Sequence, residues 1–309
     1  MGIKLNEIPL KEYVLPGTRL CSGCGLQLAY RMALKALGDR TIVTIPASCS
    51  TVMHGMQGFS AVNISVLHTT FETTAASASG IAASLKARGI EDVNVVAWAG
   101  DGGTADIGIQ GLSGAAERQD DFIYVCYDNE SYMNTGTQRS GATPKGAMTT
   151  TTPVAGKTQW KKDVVKIMEA HQLSYIATAN ASYPQDLMDK IQKAKEFRGQ
   201  GVRYIHIFSP CPPGWGYKTE ETIEMGRLAN QTGLWPLFEK IHGKLSISPA
   251  SARYMQKENR RDLREYLGKQ ERFSQIKEEQ IVAWEKHIDY TWKKMELELT
   301  MQEELGSYV

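Results

Sequence analysis

A carboxylate set between two glycines, Gly100-Asp101-Gly102, follows an apolar run, and 26 residues later a second apolar run ends at Asp128-Asn129. Residues of these types suit a diphosphate held through a hard divalent cation. Mg²⁺ takes oxygen ligands in near-octahedral geometry, and the Asp101 carboxylate, the Asn129 amide oxygen and the Ser131 backbone carbonyl offer three of them. Gly100 and Gly102 let the backbone approach a ligand closely, and the start of a following helix would direct free N–H groups at phosphate. Asp-Gly by itself is a common turn pair. The weight lies in its combination with the strand-end Asn129 and with the Gly-, Thr- and Ser-rich stretch from Ser131 to Thr158, a loop long enough to imply binding. Together they read as a thiamine diphosphate site with Mg²⁺.

A second constellation is built from cysteine. Cys21 and Cys24 form a C-x-x-C pair, Cys49 follows after 24 intervening residues, and Cys211 stands in Ser209-Pro210-Cys211-Pro212-Pro213. Four thiolates fit either a 4Fe-4S cluster or a tetrahedral zinc ion. One close pair with two solitary cysteines favours the cluster, while zinc, a redox pair and unrelated buried thiols stay open on spacing alone. Cys126 lies within an apolar run and reads as a buried, inert thiol.

His54 and His68 fall between these motifs and are read first as structural, with a substrate or cofactor contact as the rival. Arg139 could bind a carboxylate bidentately, or simply anchor its loop or a subunit contact.

These residues need elements to position them. The β-branched or apolar runs Thr41 to Ile45, Val93 to Trp98, Phe122 to Tyr127, Tyr175 to Ala179 and Arg203 to Phe208 predict five strands. Helices are expected over Leu26 to Leu37, closed by Gly38, and over Thr74 to Arg88, Ala105 to Arg118, Val164 to His171, Gln185 to Phe197 and Glu220 to Asn230. Continuous apolar strands alternating with helices indicate an α/β fold with a doubly wound, mainly parallel sheet, whose ligands sit at the carboxyl ends of the strands. Residues 1–40 are expected to form an N-terminal segment carrying the C-x-x-C pair, 41–249 the cofactor-binding α/β domain, and 250–309 a helical arm. In that arm Ile281, Trp284, Ile288, Trp292, Met295 and Leu299 make one apolar stripe, which either packs on its own chain or offers a surface to a partner.

The 309 residues carry 35 Lys plus Arg against 34 Asp plus Glu, so bulk charge provides no reason to hold nucleic acid or an anionic membrane. Without an apolar run long enough to span a bilayer or an apolar signal core in residues 1–17, a cytoplasmic protein is expected.

The combination Cys21-Ser22-Gly23-Cys24-Gly25, Cys49, Gly100-Asp101-Gly102 with Asp106-Ile107-Gly108, Asp128-Asn129-Glu130-Ser131-Tyr132-Met133-Asn134-Thr135-Gly136, and Ser209-Pro210-Cys211-Pro212 resembles the beta subunits of pyruvate:ferredoxin and related 2-oxoacid:ferredoxin oxidoreductases, over about residues 18 to 275. The resemblance implies the diphosphate-domain fold of thiamine enzymes, with Asp101, Asn129 and the Ser131 carbonyl on Mg²⁺, Asn134 near the reacting carbon, and a 4Fe-4S cluster on Cys21, Cys24, Cys49 and Cys211. It implies oxidative decarboxylation of a 2-oxo acid, pyruvate first, with electrons passing through the cluster to ferredoxin. Coenzyme A takes the acyl group in pyruvate enzymes, and the reaction can run backwards to fix CO₂. The implied partners are subunits carrying the pyrimidine-binding domain and ferredoxin-type clusters. The segment Ser50 to Val66 is less aromatic than pyruvate-specific members would have, which leaves oxalate, without coenzyme A, or a branched-chain or aryl 2-oxo acid as alternatives. A binding protein for iron–sulfur or zinc, without catalysis, is the reading from another class.

Overall fold

The structure, a computed structural model, describes residues 3–55 and 60–306, so residues 56–59 of the Ser50 to Val66 segment lie outside the described residues. The chain opens with α1 (Gly25–Leu37), β1 (Thr41–Pro46), α2 (Cys49–His54), β2 (Ser65–Thr69), α3 (Thr74–Ala87) and β3 (Asn94–Gly100). It continues through α4 (Ile109–Glu117), β4 (Ile123–Asp128), α5 (Val164–Glu169), β5 (Tyr175–Asn180), α6 (Pro184–Glu196) and β6 (Arg203–Phe208). Then come α7 (Pro212–Trp215), α8 (Thr222–Gln231), the hairpin β7 (Phe238–Ile241) and β8 (Lys244–Ile247), α9 (Pro249–Ala252), α10 (Leu263–Leu267) and the 29-residue α11 (Glu278–Gly306).

The strands form one sheet in the order β2-β1-β3-β4-β6-β5-β7-β8, parallel from β2 to β5 and closed at one edge by the antiparallel hairpin. Both faces are covered, and the two-residue period sorts the strands between them. Along β3, Val96 and Trp98 join the layer of α1 and α6, whereas Val95, Ala97 and Ala99 join that of α3 and α4. A third apolar cluster lies under the C-terminal arm, where Trp215, Tyr266, Trp284 and Trp292 are buried together.

All five expected strands are present, and three more were missed. β2 is an exposed edge strand, and β7 and β8 mix charged or polar with apolar residues, so none shows a continuous apolar run. The helix expected from Ala105 does not start as one. Gly102–Ile107 is a π-helical segment and regular helix begins only at Ile109; the wider turn brings Gly108 so close to the Gly103 carbonyl that only glycine fits there, and the extra residue per turn re-aims the chain. Gly38 does close α1, with φ 84° and its N–H donating to Leu34 O at 2.9 Å.

The stripe on α11 packs on its own chain. Ile281, Trp284, Ile288, Trp292 and Met295 are buried, and the Trp292 indole donates to the Gly233 carbonyl at 2.8 Å. That face is therefore not open to a partner, as one expectation had it. Among the described residues no helix is long and apolar enough to cross a membrane.

Candidate active site

Strands β1, β3, β4 and β6 lie side by side and run the same way, so the segments leaving them emerge along one edge of the sheet. Cys49 follows β1, Asp101 follows β3, Asn129 follows β4 and Cys211 follows β6. The chain turns to β2 on one side of β1 and to β3 on the other, so the crevice where strand order reverses opens here, where open α/β sheets bind ligands.

Asp101, Asn129 and Ser131 are all buried. One terminal atom of the Asn129 amide lies 2.9 Å from both Asp101 Oδ1 and the Ser131 carbonyl oxygen. With the amide nitrogen there, it donates to both oxygens. With the amide oxygen there, it faces the Asp101 and Ser131 oxygens at 2.9 Å each, close to the edge of an octahedron with Mg–O bonds of about 2.1 Å. The donor set thus fits Mg²⁺. Burial and the neighbouring Asp128 charge hold the Asp101 carboxyl well above the usual carboxylate range, against the Ser140 hydroxyl, which donates to its Oδ2 at 2.5 Å, and the Lys161 charge. A bound divalent cation would reverse that and keep it ionised. For Asp128 burial is outweighed by Lys161 and His206, 2.6 and 2.8 Å from Oδ2, which hold its carboxyl low.

The residue between the two proposed ligands is strained. Glu130 has φ 68°, a left-handed conformation unfavourable for glutamate, and it is held there by three contacts. Its N–H donates to Asp128 Oδ1 at 2.9 Å, and its carboxylate pairs with Lys161 at 2.9 Å and Arg272 at 2.7 Å. Gly102 is required because any side chain there would overlap the Tyr132 ring. Tyr132 in turn donates its hydroxyl to Asp106 at 2.9 Å, and Asp106 also accepts the Gly141 N–H at 2.8 Å, which ties the polar loop to the π-helical segment. Lys157, fully buried, closes the loop by donating to the carbonyls of Gly141 and Thr143 at 2.8 Å.

Beside this triad lies a cavity of about 190 Å³ whose wall includes Cys21, Cys24, Cys49 and Cys211 together with Asn129, Asn134 and Ser209. Cys24 and Cys211 stand immediately before α1 and α7, and Cys49 is the first residue of α2. The Gly25 N–H donates to the Pro210 carbonyl at 3.1 Å, a side chain on Gly25 would collide with Pro210, and this contact brings the Cys24 and Cys211 loops together. Burial pushes the Cys49 and Cys211 thiols up to about 12, so thiolate exists there only when a metal replaces the proton. Among the described residues no three His, Cys, Asp or Glu side chains converge tightly enough for a single ion. Four thiols in the wall of one cavity are the donor type of either a 4Fe-4S cluster or a zinc ion.

Residues 46–207 match the thiamine pyrophosphate enzyme C-terminal TPP-binding domain family. Pyruvate synthase subunit PorB of Methanothermobacter thermautotrophicus is 45% identical over 295 residues, which is 94% of this chain and all of that one. Ketoisovalerate oxidoreductase subunit VorB of Pyrococcus abyssi is 45% identical over 298 residues, 93% of this chain and 94% of that one. This chain belongs to the beta-subunit family of 2-oxoacid:ferredoxin oxidoreductases. The 2-oxoglutarate:ferredoxin oxidoreductase of Magnetococcus marinus shares the fold, with a TM-score of 0.57 at 23% identity over 88% of this chain and 94% of that one.

As a beta subunit of such an oxidoreductase, the chain functions with other subunits. Its TPP-binding domain carries the oxygen triad, while Cys21, Cys24 and Cys211 fall outside the residues matched to that domain. Asn134 is exposed on the loop and reaches the thiol cavity. Arg139 is exposed and donates to Gln159 at 3.2 Å. His54 is buried, with Nδ1 2.6 Å from the Ser50 carbonyl and Nε2 2.8 Å from the Tyr30 hydroxyl, the arrangement of a structural histidine. His68 is exposed on β2, edge-on to His54. Cys126 is fully buried in β4. Sequence reasoning missed Ser140, Lys157, Lys161 and Arg272. An Arg or Lys in a loop looks like surface charge, and only folding reveals which one meets a buried carboxylate.

Proposed function

We propose that this beta subunit binds thiamine diphosphate through Mg²⁺ on Asp101, Asn129 and the Ser131 carbonyl, and carries a 4Fe-4S cluster on Cys21, Cys24, Cys49 and Cys211. In this reading it oxidatively decarboxylates a 2-oxo acid, pyruvate first, in the cytoplasm, and passes electrons to ferredoxin. The observation that carries the reading is that four cysteines separated by up to 190 residues of sequence line one cavity, which Asn129 also borders. When bound, thiamine diphosphate supplies the electron sink that lets a 2-oxo acid lose CO₂. The chain's own residues then do three things. Asp101 and Asn129 orient the diphosphate through the cation, Glu130 and its cationic partners fix the loop that carries both neighbouring ligands, and the thiol wall keeps a one-electron acceptor beside the site. Asn134, at the rim of the same cavity, is the residue proposed to contact substrate.

Metal analysis and visible absorbance of anaerobically purified chain test the cluster. Brown protein with iron is expected; Cys24→Ser should bleach it and Cys126→Ala should not. Stoichiometric zinc without iron would overturn the assignment. Catalysis is expected only after addition of the subunit with the pyrimidine-binding domain, because thiamine chemistry needs a carboxylate against the aminopyrimidine ring. The assembled complex should be assayed, with and without coenzyme A, on pyruvate, oxalate, and branched-chain and aryl 2-oxo acids; similar identity to pyruvate and ketoisovalerate enzymes supports both of those substrates. Full activity of the single chain with an artificial acceptor would refute the divided site.

A further inference from the structure

Ser209 is 1% exposed, and its Oγ is one of five buried side-chain atoms among the described residues without a hydrogen-bond partner. The others belong to Ser50, Thr74, Trp98 and Arg272, and none of those residues lies in the wall of the thiol cavity, whereas Ser209 does. A buried hydroxyl left unpaired is costly, so a native chain keeps one where a ligand or ordered group completes it. Ser209 has little freedom to seek a partner elsewhere. Its N–H donates to the Asp128 carbonyl at 2.9 Å, and it is followed by Pro210, whose carbonyl is taken by Gly25. The residue is thereby held at the carboxyl end of β6, two positions before Cys211, in the same wall as all four cysteines.

We infer that the Ser209 hydroxyl donates a hydrogen bond to a sulfur of the cluster held by Cys21, Cys24, Cys49 and Cys211, and so sets its reduction potential. The inference rests on the cluster assignment proposed above. When the cluster accepts one electron its sulfurs gain negative charge, and a donor aimed at them stabilises the reduced form more than the oxidised one. The potential rises, and no proton or atom is exchanged. Asn129, which borders the same cavity, places this acceptor next to the cofactor site it must draw electrons from.

The test is a potentiometric titration of the full-length chain, purified anaerobically, as wild type, Ser209→Ala and Ser209→Thr, with iron content measured on each. Ser209→Ala should keep its iron and colour. At a fixed poise near the midpoint its ratio of reduced to oxidised cluster should fall about tenfold, equivalent to about 59 mV for a one-electron couple. Ser209→Thr, which restores the hydroxyl, should return towards wild type. An iron-replete Ser209→Ala with the wild-type midpoint would overturn the inference while leaving the cluster in place. Wild-type protein devoid of iron would instead overturn the cluster assignment. Hyperfine spectroscopy of the reduced wild-type cluster after D₂O exchange gives a reading independent of how the variants fold. A strongly coupled exchangeable proton is expected, and its absence would count against the hydroxyl bond.

Discussion

Trp215 donates its indole N–H to the backbone carbonyl of Asn129 at 2.8 Å. Trp215 is the last residue of the short helix that begins after Cys211, so one hydrogen bond ties the thiol wall to the oxygen triad. Arg272 lies over the Trp215 ring at 3.8 Å and pairs with Glu130, which brings the C-terminal arm into the same assembly.

Trp215→Phe keeps most of the bulk and removes the donor, leaving the Asn129 carbonyl unpaired. The expected cost is about 1–3 kcal/mol of stability, read by thermal or urea unfolding. Thiamine diphosphate affinity should fall about tenfold, equal to about 1.4 kcal/mol, in a calorimetric titration. Unchanged affinity would separate the indole bond from the positioning of Asn129.

Asp101→Ala should lower thiamine diphosphate affinity in the presence of Mg²⁺ by at least about 100-fold, the upper end of what loss of an outer-shell partner causes at metal sites. Asn129→Ala removes a proposed neutral ligand and should weaken binding less. Both variants should stay brown, since the thiols are separate. Retention of full cofactor affinity by the Asp101 variant would show that the carboxylate is not a ligand.

Arg272→Met removes one of two cations from a buried carboxylate and should destabilise the chain by about 3 kcal/mol, at the lower end for breaking a buried ion pair because Lys161 still holds Glu130. The double variant Arg272→Met with Glu130→Gln should lose less than the sum of the two single changes. Additive losses in urea denaturation would mean that the pair contributes nothing as a pair.

His54 provides a pH signature. Burial lowers its pKa from 6.5 to about 4, with the Ser50 carbonyl opposing and His68 adding to the shift. The unfolded chain takes up a proton below about 6.5 while the folded chain resists until about 4. This contribution is therefore complete above pH 6.5 and declines as pH falls, by about 3 kcal/mol in all at about 1.4 kcal/mol per pH unit. His54→Gln should be less stable than wild type at pH 7, and the gap should narrow towards pH 4.5. A constant gap across that range would show that the ring does not titrate with unfolding.

The periodicity of apolar residues was enough to find the central strands β1, β3, β4, β5 and β6 and most helices between them, though not α2, because a strand buried on both faces is mostly apolar. That Asp101, Asn129 and Ser131 come together was likewise legible, since both motif halves stand at strand ends, where a parallel sheet gathers its loops. Edge elements were not, because β2, β7 and β8 meet water and carry no continuous apolar run. The extra turn width at Gly102–Ile107 was also hidden, as it rests on a close approach of Gly108 to the Gly103 carbonyl that only glycine permits and no apolar period marks. Tertiary structure alone decided which charges are buried. Lys161 and Arg272 stand 31 and 142 residues from Glu130 in the chain, and nothing local marks them as its partners. It also decided that the α11 stripe is core, because the same apolar spacing serves a chain's own sheet or another subunit equally well. Spacing grouped Cys21, Cys24, Cys49 and Cys211, but only the fold showed how they meet: the parallel strands β1 and β6 deliver Cys49 and Cys211 to one edge, and the Gly25–Pro210 contact brings the Cys24 loop to them.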